Sequence, residues 1–309
     1  MSSSSQTTLS IIITSVEGPP ALSKCLSQLV PQMSGKSIEV IVPHESNRKS
    51  IELLKEKYYQ IQFIDIGKIQ TSARYGSPAA AHEIYDRSKS AGLSKAKGDV
   101  LALLDDQGTP DPDWCDQVIE AHKLPYGVIG GAIEHSGSGI LNWAVYFQDF
   151  GRYQLPLHEG HSEYLSDINI SYKRETLESV KELWIERFNE ATVNWALAKK
   201  GEVLWQRPQM VVRLDRGKLN YRDLIKERYA WGRLFGYTRA GNLSSKQRFV
   251  YAIASIFLPF ILIFRIAKKA FIGKRTWSIF LRASAATALL TLSWCFGEFM
   301  GYLTLREAS

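Results

Sequence analysis

Cysteine is scarce: three in 309 residues, Cys25, Cys115 and Cys295, lie far apart with no CxxC pair and no neighbouring histidine cluster. That excludes a disulfide framework and a structural zinc site, and it points to a reducing compartment. The opening stretch, MSSSSQTTLS, has neither a basic residue nor an apolar run. It therefore reads as a polar terminus and not as a secretory signal. The turn after the first apolar run, Ser15-Val16-Glu17-Gly18-Pro19-Pro20, lacks any basic residue. This counts against a phosphate-cradling loop of the nucleotidyltransferase kind. Internal repeats and low-complexity linkers are also missing.

What the chain has is apolar mass and an uneven charge. At 45% hydrophobic and 11% aromatic, it is too apolar for a disordered chain and can bury a sizeable core. Its length suggests about two domains. The net charge is +7, yet residues 1–204 hold 20 Lys+Arg against 26 Asp+Glu, residues 205–248 hold 11 against 3, and residues 249–309 hold 7 against 2. An acidic body with a basic, apolar tail argues against a nucleic-acid partner, whose binding domain would itself be basic. It suits a protein whose C-terminal end meets an anionic membrane surface.

Short β-branched runs at residues 9–14 (LSIIIT), 39–42 (EVIV), 62–66 (QFIDI) and 99–104 (DVLALL) alternate with helical periods at residues 20–29, 50–59 and 79–97. Continuous apolar strands, each separated by one helix, predict an α/β fold with a doubly wound, mostly parallel sheet. Residues 127–133 add a candidate strand, 165–172 a strand or loop at the site, and 192–200 a helix closed by Gly201. Ligands of such sheets bind beyond the carboxyl ends of the strands. Two of those ends are polar, Pro43-His44-Glu45-Ser46 and Asp105-Asp106-Gln107, and the site is expected there. Adjacent carboxylates in a crevice serve a cation or ligand hydroxyls; the alternative is a solvated turn.

The tail divides into a basic stretch and two apolar segments. Arg222, Lys226, Arg228, Arg233 and Arg239 alternate with Tyr229, Trp231, Phe235 and Tyr237. That pattern predicts an amphipathic helix at headgroup depth, with an ordinary solvated helix face as the alternative. Residues 249–264 carry no charge but contain Pro259; as a helix they would span about 24 Å, short of the roughly 30 Å hydrocarbon core. Residues 283–305 carry one charge, Glu298, and are long enough to span. Arg265, Lys268, Lys269, Lys274 and Arg275 lie between. Two full spans from a cytosolic body would place those cations outside, against the positive-inside tendency. A monotopic or re-entrant first segment is therefore expected, with a two-span hairpin as the alternative. The expected division is 1–204 as one catalytic domain, 205–248 as a basic interfacial segment and 249–309 as two membrane-associated helices.

Several blocks occur in a recognisable order: the first strand and helix, residues 39–46, SKAKGDVLALLDDQGTPDPDW at 94–114, NISYKRETL at 169–177, FNEATVNWALAKKG at 188–201, LIKERYAWGRLFG at 224–236 and a C-terminal GEFMGYL. Together they resemble a family 2 glycosyltransferase: GT-A fold, inverting and membrane-associated. The resemblance implies transfer of a sugar from a nucleoside-diphosphate sugar to a lipid-linked or envelope glycan acceptor, as in polysaccharide biosynthesis. It also implies residence at an inner or plasma membrane with the catalytic domain on the cytoplasmic side.

The same resemblance assigns roles. Asp105 and Asp106 match the first two positions of the family's acidic triplet, which hold ribose and a divalent cation, Mg²⁺ or Mn²⁺. The third and usual metal-binding position is Gln107, whose neutral amide is a weaker ligand than a carboxylate. Where the family has paired aspartates after the second strand, this chain has His44-Glu45, and Glu45 can still accept hydrogen bonds from base or ribose. A histidine that assists the metal in the family is absent from VVRLD at 211–215, where Arg213 offers its charge to the diphosphate instead. Eleven residues before Gly201 stands Glu190, the expected general base; a first-turn carboxylate stabilised by the helix dipole is the alternative. Asp167 and Asn169 in LSDINIS match a segment that lines the sugar or acceptor site. The substitutions at Gln107 and His44-Glu45 also leave open a non-catalytic glycosyltransferase-like protein that binds a nucleotide sugar or a partner at the membrane.

Overall fold

In the computed structural model, which describes residues 8–15, 18–46, 49–241, 243–272 and 276–306, β1 (Leu9–Thr14) is buried along its whole length. Its Leu9 and Ile11–Ile13 are fully removed from solvent, each contributing about 1.5–3 kcal/mol of apolar burial. The chain continues as α1 (Pro19–Leu29), β2 (Ile38–His44), α2 (Lys49–Lys57), β3 (Gln62–Asp65), α3 (Pro78–Lys95), β4 (Val100–Asp105), β5 (Gly108–Pro110), α4 (Trp114–Ala121) and β6 (Val128–His135). It then forms α5 (Ile140–Asp149), β7 (Gly160–His161), β8 (Asn169–Lys173), α6 (Arg174–Glu178), α7 (Glu190–Lys199) and β9 (Leu204–Leu214). Three long helices close it: α8 (Tyr221–Ala240), α9 (Ser245–Ile272) and α10 (Trp277–Thr304). The polar N-terminal segment, Val16 and Glu17 of the first turn, and the cations Lys274 and Arg275 lie outside the described residues.

The chain forms two compact units: residues 1–70, 84–134 and 155–214 in one, residues 71–83, 135–154 and 215–309 in the other. The first unit is built on one sheet of strand order β3-β2-β1-β4-β8-β6-β9-β5, with β7 paired to β9. β1 pairs in parallel with both β2 and β4, and β2 pairs in parallel with β3. β8 runs antiparallel between β4 and β6. Consecutive parallel strands need helical crossovers, and α1, α2 and α3 supply them. The result is the mostly parallel α/β sheet expected, with antiparallel strands added on one side.

Two features were not anticipated. Residues 205–214, expected as the start of an interfacial segment, belong to β9. Met210, Val212 and Leu214 point inward while Arg213 points out, the alternation of a half-buried strand. Residues 165–172 form a strand only from Asn169 onward.

In the second unit α8 and α10 approach through glycines. A Cβ on Gly232 or Gly236 would fall closer than 3.0 Å to the backbone of Trp294 or Glu298, and one on Gly297 or Gly301 closer than 3.0 Å to that of Tyr229 or Arg233. Glycines four apart on both helices leave the backbones in direct contact. The reading of the basic stretch as a lipid-facing surface is therefore corrected at its centre. Arg228 is fully buried and ion-paired to Asp149 and Glu227, with its guanidinium 4.1 Å from the Trp231 ring centroid. The helix period places that cation on the packed face, whereas Arg222 and Lys226 are exposed. α9 and α10, 28 residues each, are both apolar and long enough to cross a membrane. α9 continues through Pro259 and presents Phe249, Ile253, Phe257, Phe260 and Phe264 to the outside.

Candidate active site

The carboxyl ends of β2, β1 and β4 lie side by side because those strands are neighbours in register, Thr14 opposite Asp105. Glu45, Asp105, Asp106 and Gln107 follow these ends and are all nearly buried. Buried carboxylates require donors, and each finds backbone N–H groups. Glu45 Oε1 accepts from Ile69 N at 3.0 Å. Asp105 Oδ1 accepts from the amides of Gln107 and Gly108, both at 3.1 Å, and so shapes its own turn. Asp106 Oδ2 accepts from Gly18 N at 3.0 Å and Ser15 Oγ at 2.9 Å, and thereby ties the end of β4 to Ser15 after β1 and Gly18 before α1. Gly18 has φ +93, a left-handed conformation that costs glycine little.

Arg213 on β9 lies opposite Thr109 of β5. Its guanidinium forks onto Asp111 at 2.6 and 2.9 Å, with about half of the arginine side chain exposed. An ion pair this exposed is worth roughly 0–1 kcal/mol, so a multiply charged anion competes for it readily.

A second constellation surrounds Glu190. Asn189 caps α7 by accepting from Thr192 N at 3.0 Å, which places Glu190 at the first helical position. Glu190 Oε2 accepts the Asp167 N–H at 3.0 Å. Burial, and then the Asp167 charge, push the Glu190 carboxyl well above the usual range; the Asp167 N–H and the Lys89 ammonium oppose that rise. A carboxyl raised in this way takes protons more readily, as a general base requires. Lys89 and Asp86, both on α3 and almost fully buried, were not singled out in the sequence. Lys89 Nζ is paired to Asp167 and lies 3.5 Å from Asp86, which in turn holds Arg187 at 3.0 Å. Lys89 was hidden by the alanine-rich character of its helix; its one signal was a charge at the face position four residues after Tyr85.

The expectation for Asn169 is corrected. It is buried among β8, β6, β9 and α4: its Oδ1 accepts from Trp114 Nε1 at 2.9 Å, and its amide donates to the carbonyls of Ala132 at 2.8 Å and Met210 at 2.9 Å. Both N–H bonds are spent on the core, so none remains for a sugar.

Cation ligation was also expected at Asp106 and Gln107. Among the described residues no three His, Cys, Asp or Glu side chains come together as a metal cluster. The strand-end aspartates each commit an oxygen to backbone amides. These residues do not fit a divalent-cation cage made by the protein alone.

A family model described as "Glycosyl transferase family 2" matches residues 10–180, a span holding Glu45, Asp105, Asp106, Lys89 and Asp167. No curated protein sequence matches. Among solved structures, the mannosyltransferase PcManGT from Pyrobaculum calidifontis, in complex with GDP-Man and Mn²⁺, superposes with a TM-score of 0.55 at 10% identity, covering 94% of this chain and 86% of that one. TarS 1-349 from S. aureus, in complex with UDP-GlcNAc, superposes with a TM-score of 0.50 at 12% identity, covering 95% and 90%. At these identities the likeness concerns the fold, which is GT-A-like.

Proposed function

The chain belongs to glycosyl transferase family 2, and from that premise we infer that it is an inverting transferase moving a sugar from a nucleoside-diphosphate donor to a lipid-linked or envelope glycan acceptor. The observation carrying this reading is the row of carboxylates at the ends of neighbouring parallel strands, Glu45 after β2 and Asp105-Asp106 after β4. Glu45 and Asp105 accept hydrogen bonds from base and ribose. Asp106 holds Gly18, at the start of α1, on the side where the donor lies. Arg213 exchanges Asp111 for the diphosphate.

Glu190 removes the proton from the acceptor hydroxyl. The oxygen forms its bond to the anomeric carbon from the side opposite the diphosphate, the bond between carbon and diphosphate oxygen breaks, and the electron pair leaves with the nucleoside diphosphate. Attack from the opposite side inverts the anomeric centre. Asp167 stays beside the base and orients it. α9, with its exposed apolar face and Arg265 and Lys268 at its C-terminal end, seats the enzyme on an inner or plasma membrane from the cytoplasmic side.

The test is a titration with GDP-mannose and UDP-GlcNAc, with and without Mn²⁺, in the presence of lipid acceptors, following release of nucleoside diphosphate. Turnover with a donor, lost in Glu190→Gln while donor binding persists, is the expected result. Gln107 favours a second reading, a donor-binding protein without chemistry, and binding with no turnover under every condition would select it. Flotation with anionic vesicles tests the seat: Phe257→Asp with Phe260→Asp should abolish it.

A further inference from the structure

Lys89 has no place in the reaction as described, yet its surroundings are unusual. Its side chain is 1% exposed, where an unpaired charge would be strongly unfavourable. It is held by the carboxylates of Asp167 and Asp86 and lies 3.6 Å from the Tyr85 ring centroid. Asp86 is itself clamped by Arg187 at 3.0 Å, just before the turn that opens α7. On the other side of the pair, the backbone N–H of Asp167 is the one that grips Glu190. The chain of contacts therefore runs from α3, through the loop before β8, to the first residue of α7.

We propose that Lys89 is the positioning residue of the Glu190 base: it fixes Asp167, and through that residue it holds the Glu190 carboxyl in place and favours its charged form. The physical problem it solves is the proximity of two carboxyl groups with little water. Burial and the Asp167 charge favour the protonated Glu190 carboxyl, and the Lys89 ammonium opposes them. Lys89 meets Asp167 directly, so Asp167 takes the ion pair and Glu190 is left to open toward the acceptor. The charged and titratable groups around Glu190 are Asp167 before β8, Tyr172 on β8, Tyr85, Asp86 and Lys89 on α3, and Arg187 before α7. Among the described residues Lys89 joins a positive charge to the Asp167 side of this group, while Arg187 is bound to Asp86. The inference rests on the assignment of Glu190 as base, but its readout is separate.

The experiment compares full-length wild type with Lys89→Met, Lys89→Arg, Asp167→Asn, the Lys89→Met/Asp167→Asn pair and Glu190→Gln. Nucleoside-diphosphate release from GDP-mannose or UDP-GlcNAc is followed between about pH 5 and about pH 9. The Glu190 carboxyl is titrated by ¹³C NMR, its resonance assigned by its loss in Glu190→Gln. Lys89→Met should move that titration, and the acid limb of kcat, up by about one pH unit or more. This lowers the rate about tenfold on the limb and leaves the donor KM within about twofold. Lys89→Arg should restore the wild-type limb, and so should the double variant, in which both opposed charges are gone. A Glu190 titration unmoved in Lys89→Met overturns the proposal. Should that variant fail to fold, Asp167→Asn decides: its Glu190 titration must move down, and an unchanged one overturns the proposal equally. Activity in Glu190→Gln, by contrast, removes Glu190 as the base and leaves its coupling to Lys89 to be judged by the titration alone.

Discussion

The carboxylate of Asp106 holds the backbone N–H of Gly18 at 3.0 Å across 88 residues of sequence. The contact ties the end of β4 to the turn that opens α1, and it converts a candidate ligand group into part of the loop that frames the site. Asp106→Ala should cost about 1–3 kcal/mol of stability through the amide and hydroxyl left without an acceptor. It should also weaken nucleoside-diphosphate binding at least about tenfold. Thermal melting and calorimetry measure the two effects, and a variant binding like wild type would remove Asp106 from the donor site.

Arg213 and Asp111 give a signed prediction. If the guanidinium serves the diphosphate, Asp111→Asn tightens binding of GDP or UDP by releasing it, and Arg213→Met weakens binding by about 1–2 kcal/mol, roughly tenfold. Equal affinities in the two variants would leave the pair as surface decoration. The effect should shrink as salt is raised, because the arginine is half-exposed.

The glycine contacts between α8 and α10 predict damage from the smallest substitution. Gly232→Ala or Gly297→Ala places a methyl where a carbonyl oxygen of the facing helix now sits, at a cost of about 1–3 kcal/mol or more from forced separation of the helices. Gly241→Ala is the control, since its nearest neighbour lies at 3.5 Å. Thermal unfolding in detergent should separate the first two from the third, and three matching melting curves would contradict the packing.

Glu227 predicts a pH dependence. Burial alone would raise its carboxyl, but Arg228 and Arg216 outweigh burial and bring it down to about 2. A carboxyl lowered in the folded state gives stability that is fully present above its unfolded value near 4.5 and is lost as pH falls toward 2. Wild type should therefore lose stability over that window, and Glu227→Gln should be weaker at pH 7 but flatter in acid. Parallel stability curves for the two proteins would rule out this contribution.

Local patterns set much of the first unit. β1, β2, β3 and β4 lie within two residues of the runs that announce them; β1 and β4 are buried throughout and therefore apolar, while β3 is a half-exposed edge strand. Glu190, expected as the base from the family resemblance, lies beside a second carboxylate residue, Asp167. Asn169 was misread because its segment resembles a site lining, while its partners Trp114, Ala132 and Met210 come from three distant stretches. Lys89 escaped notice for the same reason: the carboxylate that gives it meaning lies 78 residues away.

The sequence by itself determined the period of the first four strands and of the helices between them, the polar strand ends and the apolar character of the C-terminal tail, since all of these depend on residues near one another in the chain, whereas β9 and the full 28-residue length of α9 did not show in it. Only the tertiary structure decided which charges are spent inside the protein. Arg228, Arg213 and Lys89 look alike in sequence, one cation among neighbours. Burial and the nearest carboxylate make the first a structural ion pair, the second an exposed and exchangeable one, and the third a fixed charge behind Glu190. Desolvation and distance govern the strength of a charge, and neither exists until the chain has folded.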